Sequence, residues 1–584
     1  MRKHGFSFFR PARWRKYTSV LRSDLAATYS RDLHKWLLIA PIIGVVTGLL
    51  ITGIAVIILD KLWPAVLNYY LLHHWAIVPS LLVALAATGL IMQYLTPDPN
   101  EHSTEEIIRS YHEHQGDINM RPFFAKLLAA VTTVGFGGSA ALEGPSIYGG
   151  GALGSWLWAR LRRFRLEPRD RRIMLISGAA AGMAAVFRAP LTGLVFALEM
   201  PYKDDLAHEA LLPSLIASVF SYVTLISFLG SATLFDFKGE GRFTGRDLVF
   251  SAILGALCGL LMMGFDLAYR HFRTAMVKAA LPHWSKLALG GLVTGICGLL
   301  FVSRFSDQLI PIGPNYEAVN LLLTQHHSSG ELVMFAAFKL LATLFTLGCG
   351  GVSAMFVPLF LSGGCLGTAF AQSLIHSPSL ALYAAVGMAA FIASGYKTPL
   401  TAVVFVAEAT GGHAYIIPVL IGAAVAYAIS GEASVSGDQR LHEGVKIHEL
   451  QHIPVEEIMQ TPVVSVDASN NLQEFSSLVA ASHRHHSYPV FDQGKLVGTV
   501  SIWALASVNR EDWPATQVGG VTQQDVERIA PDCDVQEALR ILVGPREQHI
   551  ILVVSPRAEL LGVVTKTDIL SALDARSSKI HHVP

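Results

Sequence analysis

The 584-residue chain has no surplus of either charge: 44 Lys and Arg stand against 44 Asp and Glu, a formal net charge of +0. A chain without a basic excess has no electrostatic footprint for nucleic acid. Cysteine is sparse too. Cys258, Cys297, Cys349, Cys365 and Cys533 contain no CxxC pair, so neither a disulfide frame nor a zinc site is indicated, and packing is left as their role. A membrane zinc protease needs HExxH on a helix. His208 opens HEALL and His442 opens HEGVK, and neither has the second histidine. No metal site and no enzyme chemistry are expected.

Charge is also scarce overall, at 15 % of residues, and what there is crowds toward the ends. Hydrophobic residues make up 52 % and the mean hydropathy is +0.44, values of a membrane protein. The average conceals two different parts, an apolar one and a polar one. The first 35 residues carry nine Lys and Arg against two Asp, and 36–59 follows as 24 uncharged residues. That run is too long for a signal-peptide core and long enough to span a bilayer. By the bias of basic residues toward the inner face, the N-terminus is expected in the cytoplasm. Further apolar runs follow at 78–95, 173–187, 189–198, 211–229, 248–265, 287–303, 341–375, 381–394 and 399–430. Several are too short or too rich in Gly and Pro for simple spans, as in transporters with broken helices.

One stretch organises the apolar part. Residues 134–155 read VGFGGSAALEGPSIYGGGALGS, and Glu143 is the one charged residue from 127 to 159. A carboxylate at bilayer depth costs roughly 2.5–3.5 kcal/mol or more and marks a functional site by default. Gly135, Gly137, Gly138, Gly144 and Pro145 break a continuous span, and irregular backbone survives in a membrane only where it lines a cavity. A half-helix beginning after Glu143 would aim its N-terminal N–H groups into that cavity, which suits an anion. The plainer alternative is a kinked structural helix whose Glu is hydrogen-bonded.

The sequence also repeats itself. PLTGLVFALE at 190–199 returns as PLTAVVFVAE at 399–408, each preceded by GMAA, at Gly182 and Gly387. GPSIYGGGALGS at 144–155 returns as VPLFLSGGCLGT at 357–368, a register that sets Glu143 opposite Phe356. The apolar part is therefore two related halves, each giving one glycine-rich half-helix to a shared centre. Neither half-helix stretch contains Lys or Arg.

From about Gly437 the composition turns polar. Two units with the order strand, helix, strand, strand, helix follow, one with SYPVFDQGKLVGTVSIWAL and one with IILVVSPRAELLGVVTKTDIL. The tandem resembles a pair of CBS domains, modules that commonly bind adenine nucleotides (ATP, ADP or AMP). The resemblance implies ribose contacts at Thr565 and Asp568, with Trp503 standing in the first copy where an acidic residue belongs. A structural dimerisation module without ligand is the alternative.

The apolar part resembles the CLC family of chloride channels and proton-coupled chloride exchangers. ALEGP at 141–145 is similar to that family's GxEGP motif, and MFVP at 355–358 to its GxFxP motif, with Ala354 for the first Gly. AGMAAVFRAPLTGLVFALEM and GMAAFIASGYKTPLTAVVFVAEAT are similar to the segments flanking the pathway. The resemblance implies that Glu143 is the external gate and outer proton carrier, and that Glu199 delivers protons from the cytoplasm, while Glu408, its repeat partner, is structural. It implies anion contacts at Gly144, Met355, Phe356 and Val357. The family's GSGIP serine falls at His102 in NEHSTEEI, or, with a shifted register, Ser103 or Thr104 supplies the hydroxyl. Its inner-gate tyrosine falls at Ser436, where a phenol is missing.

The fold expected is mainly α: a polytopic membrane bundle of two related inverted halves with broken helices, plus a cytoplasmic α/β CBS pair. The boundaries are 1–32 basic N-terminus, 33–437 membrane domain, 438–452 linker, 453–511 first CBS unit and 515–576 second. The function expected is chloride transport coupled to proton antiport, with the CBS pair as regulator. The alternatives are a passive, voltage-gated chloride channel and, more distantly, a CBS-regulated cation transporter, which predicts clustered mid-membrane carboxylates. Partners are chloride, protons, the lipid bilayer and, as the resemblance implies, a second copy. The location expected is the plasma (inner) membrane, with both termini cytoplasmic.

Overall fold

The structure is a computed structural model that describes residues 30–100, 103–161, 166–231, 235, 243–305, 309–316, 318–319, 327–377, 379–410, 415–441, 453–482, 486–543, 549–557 and 559–569. Two compact units divide between Glu443 and Gly444.

The first unit is helical. In order it contains α1 Ser30–Ala55, α2 Trp63–Leu72, α3 Ile77–Leu95, α4 Ser103–Glu113, α5 Arg121–Gly135, α6 Glu143–Leu161, α7 Pro168–Phe187, α8 Pro190–Glu199 and α9 Leu211–Leu229. The second half continues with α10 Gly245–Lys278, α11 His283–Arg304, α12 Ser329–Gly348, α13 Phe356–Phe370, α14 Leu380–Tyr396, α15 Pro399–Thr410 and α16 Ile416–Ile429. The first apolar run does not stop at 59: helix continues through a π-helical stretch, Val56–Leu62, into α2, a span of 39 residues from His34 to Leu72. Among the described residues, seven helices are long and apolar enough to cross a membrane, whereas α8, α14, α15 and α16 are shorter. Leu38, Leu72, Val83 and Phe228 stand mostly exposed on the outer helices. A hydrocarbon solvent accepts such side chains at no cost, so the exposed belt is itself the membrane signature.

The repeat governs the packing. α1 lies on α9 as α10 lies on α16, and α6 lies on α7 as α13 lies on α14. The α6–α7 crossing is set by two glycines: a Cβ on Gly150 would meet the Gly178 carbonyl oxygen at 2.0 Å, and one on Gly178 would meet that of Gly150 at 2.0 Å. The α13–α14 crossing repeats this with Gly363 and Gly387, at 2.2 and 2.1 Å. Gly387 therefore corresponds to Gly178 and not to Gly182. The two GMAA tetrapeptides, read as repeat partners in the sequence, stand four residues out of register; helix contact follows the spacing to Pro190 and Pro399. The halves meet on their own symmetry: Ala141 N–H donates to Ala354 O at 2.9 Å and Ala354 N–H to Ala141 O at 3.3 Å, an antiparallel bridge between repeat equivalents.

The polar unit holds two three-stranded sheets. The first is β1 Val466–Asp467, β2 Ser487–Asp492 and β3 Lys495–Ser501, with α17 Leu472–Ser482 and the short α18 Ala504–Ser507. The second is β4 Arg528–Ile529, β5 Ile550–Val554 and β6 Leu560–Thr565, with α19 Val535–Val543. In both, the first two strands are parallel and the last two antiparallel, with an irregularity at the equivalent place. The copies also exchange their leading segments. Ile453 and Val455 pack in the core of the second copy and Gln460 bridges Val563, while Val518 packs in the first core and Gln523 bridges Thr499.

Candidate functional site

The N-termini of α6 and α13 converge at the Ala141–Ala354 bridge. Glu143 is the first residue of α6 and 1 % exposed. Its Oε1 accepts the Phe356 N–H, at the first residue of α13, at 2.6 Å. Its Oε2 has no partner among the described residues. The repeat register had set these two residues opposite each other, and the structure joins them.

The chemistry follows from where helices begin. First-turn N–H groups have no acceptor inside the helix, and each N-terminus carries roughly half a positive charge. Pro145 and Pro358 occupy equivalent places in the first turns, where their missing N–H is no loss. Gly144 lets the α6 backbone lie against Ser353, whose carbonyl a Cβ would meet at 3.1 Å. Val357, the second residue of α13, is fully buried. The result is a neutral cradle of N–H dipoles with no Lys or Arg from 144 to 155 or from 357 to 368.

An aromatic shell surrounds the centre. The Phe356 ring lies 5.2 Å from Phe187, 5.8 Å from Phe196, 4.9 Å from Phe405 and 5.7 Å from Tyr396, between centroids. Two of its phenols were not singled out from the sequence. Tyr396 Oη accepts the Met355 N–H at 3.0 Å, and Tyr316 packs on Phe187 at 6.4 Å between ring centroids. Both lie within electrostatic reach of Glu143. The signal for Tyr396 was its place: counted back from Pro399 it is the repeat image of Phe187.

The remaining expected anion ligands are placed unequally. His102 lies outside the described residues. Ser103 opens α4, is 3 % exposed and leaves its Oγ without a partner among the described residues. It lines a cavity of about 10 Å³ with Asn100 and with 350–353, the loop leading into α13. That space suits about one water molecule. Thr104 is buried beside it. Ser436 is also buried, but its N–H donates to Ser434 Oγ, and among the described residues no bond joins it to 355–357. Its neighbour Val435 donates instead to Gly395 O at the end of α14.

Glu199 does not stand apart from its repeat image. Its carboxylate accepts the N–H of Leu400 at 3.0 Å, the N–H of Thr401 at 2.8 Å and the Thr401 hydroxyl at 2.5 Å. Glu408 accepts the N–H of Leu191 at 3.0 Å, the N–H of Thr192 at 2.8 Å and the Thr192 hydroxyl at 2.8 Å. Each carboxylate, at the end of one short helix, caps the start of the other, α8 and α15 reciprocally. Carboxylates at helix N-termini are favoured by both the orphan N–H groups and the dipole.

In the polar unit, Asp568 Oδ2 accepts the Thr565 N–H at 2.8 Å and the Thr565 hydroxyl at 2.7 Å, and Oδ1 accepts Gln460 Nε2–H at 2.7 Å. The sequence placed Trp503 at the corresponding acidic position in the first copy. Strand pairing corrects this: Ser501 ends β3 as Thr565 ends β6, so three residues on Ala504 stands where Asp568 does, and Trp503 matches Thr567. The first copy lacks the carboxylate by either count. Among the described residues no group of His, Cys, Asp and Glu could hold a metal ion.

Comparison with known proteins agrees with this architecture. Residues 82–431 match the family model described as voltage gated chloride channel, and 455–510 and 518–575 match CBS domains. The H(+)/Cl(-) exchange transporter ClcA of Yersinia pestis bv. Antiqua (strain Angola) is 28 % identical over 402 residues, covering 66 % of this chain and 82 % of the relative. The transporter of the same name from Klebsiella pneumoniae (strain 342) is 26 % identical over 372 residues, covering 61 % and 75 %. Among solved structures, a CLC-type fluoride/proton antiporter superposes with a TM-score of 0.61 at 22 % identity, over 71 % of this chain and 99 % of that one. A slow cyanobacterial Cl-/H+ antiporter gives 0.60 at 23 % identity, over 68 % and 94 %. A eukaryotic CLC transporter gives 0.59 at 18 %, over 92 % and 98 %. At such identities the structures establish the fold. With the family model covering more than half its length, the chain is a multi-pass membrane protein that belongs to the voltage-gated chloride channel (CLC) family and carries two CBS domains.

Proposed function

We propose that this protein exchanges chloride for protons across the plasma (inner) membrane, with Glu143 as the group that both blocks the anion path and carries the proton. The observation that carries the reading is the 2.6 Å bond from the Phe356 N–H to Glu143 Oε1. Ionised, the carboxylate is a tethered anion on the donor that a permeant anion needs. Protonated, it loses its charge-assisted hold and yields the cradle, so one proton moves as the anion takes its place. Neutral N–H dipoles hold an anion firmly enough to strip water and weakly enough to release it. The exchangers named among the relatives support the coupling. Ser103, whose Oγ has no partner among the described residues, is the hydroxyl this reading places nearest the inner approach to α13.

In the same reading Glu199 passes protons from the cytoplasmic side, and its reciprocal capping with Glu408 supports a structural duty in addition. The CBS pair acts as regulator, with adenine nucleotide at Thr565 and Asp568. Two copies associate, each with its own path, and both termini lie in the cytoplasm. The test is reconstitution in liposomes under a chloride gradient with a pH probe inside. Chloride-driven proton movement is expected; chloride flux with no proton movement would make the protein a passive channel, and no chloride flux would remove the reading altogether.

A further inference from the structure

The repeat makes one substitution inside the aromatic shell stand out. Phe187 and Tyr396 are equivalent positions, each the last residue of its helix before Arg188 and Lys397, which both take left-handed backbone with φ of 53° and 59°. Both rings pack on Phe356, at 5.2 and 5.7 Å. Packing is therefore served by phenylalanine in one half, and the hydroxyl in the other half is an addition. A buried hydroxyl costs free energy unless it is bonded. Here the oxygen accepts the Met355 N–H at 3.0 Å, and among the described residues no acceptor receives the phenol's own proton. Met355 and Phe356 are consecutive: one N–H ends on the phenol oxygen, the next on the Glu143 carboxylate. An anion that replaces the carboxylate at Phe356 arrives beside an O–H that lacks an acceptor among the described residues.

We propose that Tyr396 is an anion-contacting and selectivity-setting residue, its phenol donating to the permeant anion at the start of α13 while Met355 N–H fixes the oxygen. This rests on the anion-transport reading above. The hydroxyl comes from α14 and not from the segment after the last helix, where Ser436 spends its N–H on Ser434. The backbone that carries it is anchored on the other side: Gln439 Nε2 donates to Tyr396 O at 3.0 Å, and also to Met200 O at 3.0 Å and Tyr202 O at 3.2 Å. Tyr396 thus has a pinned main chain and an oriented oxygen, as a ligand that must not wander requires.

The experiment compares the full-length protein with Tyr396→Phe and, as the mirror control, Phe187→Tyr. Chloride binding is measured by calorimetry in detergent, and chloride and proton fluxes in liposomes. Tyr396→Phe keeps the ring that Phe187 shows to pack, so it is expected to fold. Its chloride affinity should fall about tenfold, the worth of one hydrogen bond to a charge, and its preference for chloride over nitrate should shrink. Unchanged affinity and anion preference in Tyr396→Phe, with wild-type transport intact, would overturn the proposal for Tyr396 alone. Absent chloride transport in the wild type would instead overturn the reading on which it rests. A loss of flux in both variants alike, with affinity unchanged, would mean general damage to the shell and would also count against it.

Discussion

Replacing Glu143 by glutamine removes the charge and keeps the shape, so its effect can be worked from the site. The glutamine carbonyl can still accept the Phe356 N–H, but as a neutral bond. A charge-assisted bond is roughly twice as strong as a neutral one, a difference of about 1 kcal/mol. The carboxylate also sits at two helix N-termini at once, α6 and α13, each worth about 0.3–1 kcal/mol to a negative charge. Together about 1.6–3 kcal/mol of hold on the cradle is lost, which favours an incoming anion by roughly 15- to 150-fold. On the proposed mechanism the same release in the wild type comes from protonation, so chloride flux should rise on acidification. Glu143→Gln should give high flux at all pH values and no proton movement. Liposome efflux measured from pH 8 to pH 4.5 with chloride and pH probes reads both. Acid dependence retained in the variant would show that another group titrates, and Glu143 would leave the mechanism.

Three further outcomes follow from the same geometry. Gly363→Ala forces a Cβ to 2.2 Å from the Gly387 carbonyl and should abolish monodisperse protein in size-exclusion chromatography, whereas Gly53→Ala, with nothing within 4 Å, should behave as wild type or melt slightly higher. Glu199→Gln and Glu408→Gln should each cost about 1 kcal/mol of stability, the worth of a helix cap, seen as matching drops in melting temperature; proton flux should fall in Glu199→Gln alone, and equal proton flux in the two would leave Glu199 with capping only. ATP titrated into the full-length protein should give saturable heat that Asp568→Ala removes, and the absence of heat in the wild type would make the CBS pair a structural module.

Much of the site was legible because it is written in local spacing. The glycine-rich runs, the proline at each half-helix start and the lone carboxylate are properties of short segments, and the repeat carried Glu143 onto Phe356 without any coordinates. The GMAA pairing failed for a related reason: a four-residue shift returns nearly the same helix face, so tetrapeptide likeness could not choose the register that the backbone contact of Gly363 with Gly387 requires. Glu199 and Glu408 look equally alone along the chain, because the N–H groups that satisfy them come from about 200 residues away. Trp503 was misassigned because loop residues carry no period, and strand pairing was needed to count from β3.

The sequence by itself determined that this chain has an apolar part of two related halves, a lone carboxylate, Glu143, among helix-breaking residues, and a tandem polar unit. Those follow from hydrophobicity, helix-breaking residues and repetition, each decided within a helix length. The tertiary structure alone decided that repeat equivalents bond to each other at Ala141 and Ala354, that two glutamates cap each other's helices, and that a phenol from the end of α14 accepts the Met355 N–H just before α13. Those are meetings between segments far apart in the chain, fixed by close packing of whole helices, and no local spacing records them.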